Sequence, residues 1–340
     1  MQYRTLGRTG ITVTPYALGA MMLGRFGNPD RSEGVRIIHR ALDAGINVID
    51  TADRYGDSEE VVGEALAGRR DQVVLATKFH GPVDDDVNHR GASRRWIVQA
   101  VERSLRNLRT DHIDLYQLHR PDPATDIDET LSALTDLVRQ GKVRAIGSSS
   151  MRGSEIVEAQ WTSDRRGFER FRTEQPNYSI LDREIEREVL PVAQRYGMGT
   201  LVYSPLAGGS LTGRYRAGQA NDEFRAGTGM RHFRDERRLA AIEQLIALAD
   251  ETGIRLTHLA MAFTIAHPGV TSAIAGPRTM EQLEDTLAGM DVVLSDEVLD
   301  RIDAIVPPGE SIGAMDMVYR GPEVGSPAMR RRPEAERAAA

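Results

Sequence analysis

The chain has 340 residues, 40% hydrophobic and 27% charged, with a formal net charge of −7 at pH 7 and no cysteine. This composition is ordinary for an enzyme with a sizeable core, and its interleaved charges form no basic stripe for a nucleic-acid backbone. Disulfides, thiolate nucleophiles and Cys-ligated metals are excluded, and no apolar run approaches the roughly 18 to 20 residues of a membrane-spanning helix.

In chain order, the N-terminus (MQYRTLGRTG) lacks the apolar core of a signal peptide, so the expectation is a soluble, cytoplasmic protein. QYRTL and ITVTP flank GRTG and read as a β-hairpin that could cap the bottom of a barrel. Short Val/Ile/Leu-rich runs then alternate with longer stretches of helical period. Candidate strands fall at 15–20, 46–50, 73–78, 113–119, 143–147, 171–176, 199–204 and 271–275. Eight such units close a (β/α)8 TIM barrel, the expected fold. Val35, Ile38 and Leu42 share one helical face behind Ser32 as N-cap, with Gly45 just past the end. A second helix starts near Ser58, and a third carries Ile97, Val101, Leu105 and Leu108 behind Ser93. Residues 205–235, rich in Gly and Arg, are too long for an ordinary connection and read as a lid or binding loop. The expected organisation is one catalytic barrel over 1–320 and a polar, mobile tail over 321–340.

Three strand ends carry the chemistry. Asp50, Lys78 and His119 each end an apolar run, and Tyr55 follows the first by one loop. Parallel strands in a barrel bring such ends to one face. A phenol with an ordinary pKa of about 10 is a weak donor at neutral pH, and an adjacent ammonium is expected to lower it. Lys78 can supply that charge while Asp50 keeps it protonated. Tyr55 can then protonate a carbonyl oxygen that His119 orients. With no thiol and no evident metal cluster, hydride from a nicotinamide cofactor is the simplest nucleophile.

The segments DTADRYGDSEE, ATKF and DLYQLHRPD resemble the three catalytic blocks of the aldo-keto reductase family, NADPH-dependent enzymes on a TIM barrel. LGRTGITVTPYALG, VRAIGSSS, EQPNYS, VYSPLAGGSLTGRY and GPRTMEQLEDTLA extend the similarity from Tyr3 to about Val306. The resemblance implies a general acid at Tyr55, tuned by Lys78 and Asp50, with His119 orienting the carbonyl. It places Ser148, Ser149 and Gln175 at the nicotinamide carboxamide, Tyr203 stacked on the ring, and Ser204, Leu206 and Leu211 around the pyrophosphate. Gly276, Arg278, Thr279, Gln282 and Asp285 fall at the adenosine end. Arg278 suits a 2′-phosphate through its planar fork, the main argument for NADPH over NADH. Ser149 stands for a commoner asparagine, and Thr286 for an asparagine at the adenine. Met21, Met22 and Phe26 fall where relatives line the substrate pocket.

Other readings have their own support. A strand-end lysine could form a Schiff base, as in aldolases, but Asp50 beside Lys78 argues that it stays charged. The chain also looks similar to potassium-channel β subunits, which keep barrel and cofactor but act through a partner. Asp84, Asp85 and Asp86 read as a solvated loop, Trp96 and Trp161 as packing residues, and no metal is assigned. A small carbonyl substrate is the expected partner; neither its identity nor the oligomeric state is legible.

Overall fold

The structure is a computed structural model that describes residues 3–216, 231–313, 315–316, 318–333 and 336–337. A short antiparallel hairpin, β1 (Arg4–Thr5) and β2 (Thr12–Val13), precedes the barrel. The barrel strands are β3 (Tyr16–Gly19), β4 (Val48–Asp50), β5 (Val74–Phe79), β6 (Ile113–Leu118), β7 (Val143–Ser149), β8 (Thr173–Gln175), β9 (Gly199–Val202) and β10 (Ser272–Ala275). All eight are parallel to their chain-order neighbours, and β10 pairs with β3 to close the ring. Each matches an expected segment to within two residues at either end.

The outer layer comprises α1 (Arg31–Asp43), α2 (Ser58–Ala65), α3 (Arg94–Asn107), α4 (Ile127–Arg139), α5 (Gly153–Arg166), α6 (Val189–Tyr196), α7 (Glu236–Thr252), α8 (Leu256–Ala266), α9 (Met280–Ala288) and α10 (Asp296–Ile305). Helix α3 starts as its sequence requires, with the Ser93 hydroxyl accepting from the Trp96 N–H. Helix α1 starts two residues earlier than expected. Asp30, not Ser32, is the N-cap, because its carboxylate reaches the N–H groups of both Ser32 and Glu33. The expected packing role fits Trp96, which is buried, and not Trp161, which is 58% exposed on α5. Within the expected tail, Pro322–Gly325 and Pro327–Arg330 form single helical turns, α11 and α12.

Strand alternation divides the barrel interior into two layers. Ala17, Val48, Ala76, Leu115, Ala145, Leu201 and Ile274 pack with Leu6 and Val13 of the hairpin in one apolar cluster. The hairpin therefore plugs the bottom. Gly7 makes the close approach possible: a Cβ there would lie 2.4 Å from the Gly199 backbone nitrogen, and Gly7 itself has φ +56°. Two residues further along β4 and β5, and at the matching level of β6 and β8, the side chains become Asp50, Lys78, Gln117 and Gln175. The alternation that seals the bottom with apolar groups thus gathers polar ones at the top.

Residues 205–235 do carry a loop, but only its two ends are described: one tight helical stretch at Ala207–Thr212 and another at Arg231–Arg234. The rest of the expected lid, 217–230, lies outside the described residues. Its far end is anchored by Arg238 on α7, fully buried, whose guanidinium makes two 3.0 Å hydrogen bonds to Asp182 and one of 2.9 Å to the Ile312 carbonyl.

Candidate active site

At the top of the barrel, Lys78 is completely buried and donates to Asp50 Oδ1 at 2.5 Å and to the Thr51 carbonyl at 2.9 Å. The other carboxylate oxygen accepts from Gln175 Nε2 at 2.8 Å and from Gln117 Nε2 at 3.3 Å. Asp50 is therefore fixed from three strands, and Lys78 is fixed through it. The Lys78 ammonium lies 5.2 Å from the centre of the Tyr55 ring. The Tyr55 hydroxyl is 3.3 Å from His119 Nε2, the two rings meeting edge to face. The four residues expected to converge do so.

Their electrostatics follow from burial first. Desolvation would lower Lys78, but the Asp50 and Tyr55 oxygens hold its ammonium above the ordinary lysine value. His119 is driven well below the ordinary imidazole value by burial, with Lys78, Arg120, Arg54 and His80 adding to the effect. It is a neutral ring at pH 7, able to donate a hydrogen bond without carrying charge. Tyr55 departs from expectation. Burial raises its pKa, and the opposing charges of Lys78 and Arg120 do not cancel that. The phenol thus holds its proton across the neutral range.

A cavity of about 630 Å³ opens above these groups. Its wall runs from Met21, Met22, Phe26, Tyr55 and His119 past Ser149, Gln175 and Tyr203, along Ser204 to Gly209, and out to Gly276, Arg278, Gln282, Asp285 and Thr286. Left-handed backbone at Ser204, Ala207, Gly208 and Gly209 turns the loop after β9 around this cavity. No atom outside its chain neighbours lies within 4 Å of a Cβ built on Gly209, so the chain leaves open space there.

Four of the residues singled out from sequence do not line the cavity. Lys78 stands behind Asp50. Ser148 points out of the barrel, its hydroxyl 2.6 Å from the buried Glu174 carboxylate. Thr279 caps α9 by accepting from the Gln282 N–H, and the Leu211 side chain is buried in the core. Of the three consecutive serines, Ser149 lines the cavity. Ser150 adopts φ +60°, and its hydroxyl contacts Arg120 and lies 3.5 Å from the Tyr203 hydroxyl. Asp285 lines the wall but is ion-paired to Arg255 at 2.8 Å and close to His258 at 3.1 Å. Arg54, Arg120, Arg214, Arg255 and His258 also line the cavity and were not singled out. Arg120 directly follows His119, and Arg54 directly precedes Tyr55, so proximity in sequence was the available signal.

A closed parallel barrel with an acid-base cluster at the C-terminal ends of its strands is the layout of a barrel enzyme. The model of the aldo/keto reductase family matches residues 16–307, and the chain belongs to that family. It is 39% identical over 320 residues to "Uncharacterized oxidoreductase YrpG" of Bacillus subtilis, covering 90% of this chain and 96% of the relative. It is 38% identical to "Aldo-keto reductase YhdN" of the same organism, covering 84% and 87%. A "Probable voltage-gated potassium channel subunit beta" of Oryza sativa is 34% identical, covering 90% and 97%. The family and its two Bacillus relatives support an oxidoreductase acting on carbonyl compounds. Among the described residues, no helix is long and apolar enough to cross a membrane.

Proposed function

We propose that this chain reduces an aldehyde or ketone to an alcohol with NADPH, Tyr55 acting as the general acid. The observation that carries the proposal is the Tyr55 hydroxyl beside neutral His119 and charged Lys78 at the floor of an elongated cavity. The cofactor's chemistry, when bound, is hydride delivery to the carbonyl carbon.

The donor set fits that cofactor. Tyr203 offers an aromatic face, Gln175 keeps Oε1 as an acceptor after committing Nε2 to Asp50 and Gln117, and Ser149 keeps acceptor capacity while donating to the Gln175 carbonyl at 2.8 Å. Ser204, Leu206 and the glycines after them would hold the diphosphate, and Arg278 with Gln282 the adenosine phosphate. A guanidinium at that end favours a ligand with the extra phosphate.

The proton chemistry then belongs to the protein. As negative charge develops on the substrate oxygen, His119 donates a hydrogen bond to it and Tyr55 transfers its proton. The phenolate left behind is stabilised by the Lys78 ammonium, which Asp50 keeps charged. That same pairing argues against a Schiff base at Lys78.

The test is a fluorescence titration with NADPH and NADH, wild type beside Arg278→Ala. Loss of the phosphate contact should cost NADPH affinity roughly tenfold to a hundredfold and NADH affinity little; equal losses would remove Arg278 from the clamp. Turnover of an aldehyde panel with bound NADPH separates an enzyme from a cofactor-binding channel-type subunit.

A further inference from the structure

Two cations in the cavity wall are given no contact with the substrate in the chemistry above. Arg54 and Arg120 both line the cavity wall with Tyr55 and His119. Both act on the two imidazoles there, His119 and His80. Among the described residues, neither guanidinium has a carboxylate within ion-pair distance, although Arg31, Arg40, Arg69 and Arg70 elsewhere on the molecule all do. The nearest acid in sequence, Asp53, is buried and its carboxyl is pushed well above the carboxylate range by that burial. The charges of Arg103 and Arg54 act against that shift.

Arg120 is held by hydrogen bonds, whereas Arg54 is exposed and its stem lies against backbone. Arg120 donates through one terminal nitrogen to the His119 carbonyl at 3.3 Å and to the Ser150 hydroxyl. Its guanidinium carbon lies 5.8 Å from the Tyr203 ring centre and 6.0 Å from that of Tyr319. Its other nitrogens have no hydrogen-bond acceptor among the described residues. The Arg54 stem lies over Gly81, where a Cβ would come within 2.5 Å of its Cδ. The absence of a side chain at Gly81 is what lets Arg54 lie there. Met21, Met22 and Phe26 add apolar side chains to the cavity lining.

We infer that the carbonyl substrate carries an anionic oxygen group, a carboxylate or a phosphate monoester, bound by Arg54 and Arg120 while its carbonyl oxygen meets Tyr55 and His119. This rests on the carbonyl-reduction reading and adds the substrate class to it. Arg54 is exposed and Arg120 half-buried, so water reaches both guanidinium groups; a carboxylate or phosphate entering the cavity satisfies their planar forks.

The test compares matched probes: 4-formylbenzoate against its methyl ester, and glyceraldehyde 3-phosphate against glyceraldehyde. Each is titrated by calorimetry with NADPH-loaded protein and then assayed for turnover. The proteins are wild type, Arg54→Gln, Arg120→Gln and Gly81→Ala, the last displacing Arg54 without removing any charge. The anionic member of at least one pair should bind wild type roughly tenfold to a hundredfold more tightly, and each arginine variant should erase most of that ratio. Gly81→Ala should reduce it in part. Whichever pair responds identifies the anion. Ratios near one in wild type, or ratios unchanged in both arginine variants, overturn the inference. Selective anion binding without turnover of any probe would instead uphold the anion site and count against the reductase reading.

Discussion

Replacing Asp50 by Asn tests the buried pair that fixes the cluster. Asp50 and Lys78 are 2.5 Å apart and almost wholly shielded from water, and the ammonium's remaining acceptor is the Thr51 carbonyl. Burial is the largest influence on Lys78 and favours its neutral form; the Asp50 charge is the main influence against it. Without that charge, Lys78 must either stay charged in a low-polarity site or give up its proton. Neutralising a lysine of ordinary pKa, about 10.4, costs about 4.6 kcal/mol at pH 7, which sets a ceiling. Breaking a buried pair from one side typically costs about 3–5 kcal/mol. The variant should thus lose about 3 to 4.6 kcal/mol at pH 7.

The pH dependence carries a definite sign. In the wild type the folded-state Lys78 value is raised, so its contribution is complete below about pH 10.4 and is lost only as pH climbs through the folded value. In the variant the folded value falls below the unfolded one, and stability should rise with pH between the two. The gap between the proteins, measured by urea unfolding at a series of pH values, should therefore narrow towards pH 10 by up to about 1.4 kcal/mol per pH unit. A gap below about 1 kcal/mol at pH 7, or one that widens with pH, would refute the reasoning.

Two further outcomes bear on the scaffold around the site. Burial pushes the Glu174 carboxyl from 4.5 to about 7, despite hydrogen bonds from the Ser148 hydroxyl and the Met151 N–H. Its raised folded value means that roughly 3 kcal/mol of stability present at about pH 4 is lost as pH rises towards 7. Glu174→Gln should match the wild type near pH 4 and exceed it by a similar amount near pH 8, and thermal unfolding showing parallel pH profiles would contradict this. Arg238→Met leaves the buried Asp182 carboxylate with the Ser179 hydroxyl at 2.9 Å but without its cation. Urea unfolding should show a loss of about 3–5 kcal/mol, partly restored by adding Asp182→Asn; a loss below about 1 kcal/mol would show that the pair is not what anchors α7.

The barrel was legible because most strands are short apolar runs followed by helical periodicity, and closure needs only the count of eight. The convergence of Asp50, Tyr55, Lys78 and His119 followed from their places at strand ends. What failed was local or energetic. Ser148 was read into the cavity because three consecutive serines give no sign of which face each takes; the left-handed turn at Ser150 decides it. Ser32 competed with Asp30 as helix cap, and the carboxylate won by reaching two N–H groups. The direction of the Tyr55 shift depends on how deeply its hydroxyl is buried relative to Lys78, a balance that residue order does not encode. Arg54 and Arg120 lie in loops without periodicity, so their places in one cavity wall emerged only in three dimensions.

The most direct measurement is Tyr55→Phe, assayed for NADPH binding by fluorescence and for carbonyl reduction by turnover. The substitution removes one hydroxyl beside His119 and leaves the ring in place. Cofactor affinity should hold while reduction falls by at least about a hundredfold, the scale of lost general-acid catalysis. Turnover within about threefold of the wild type would take the proton-donor role away from Tyr55.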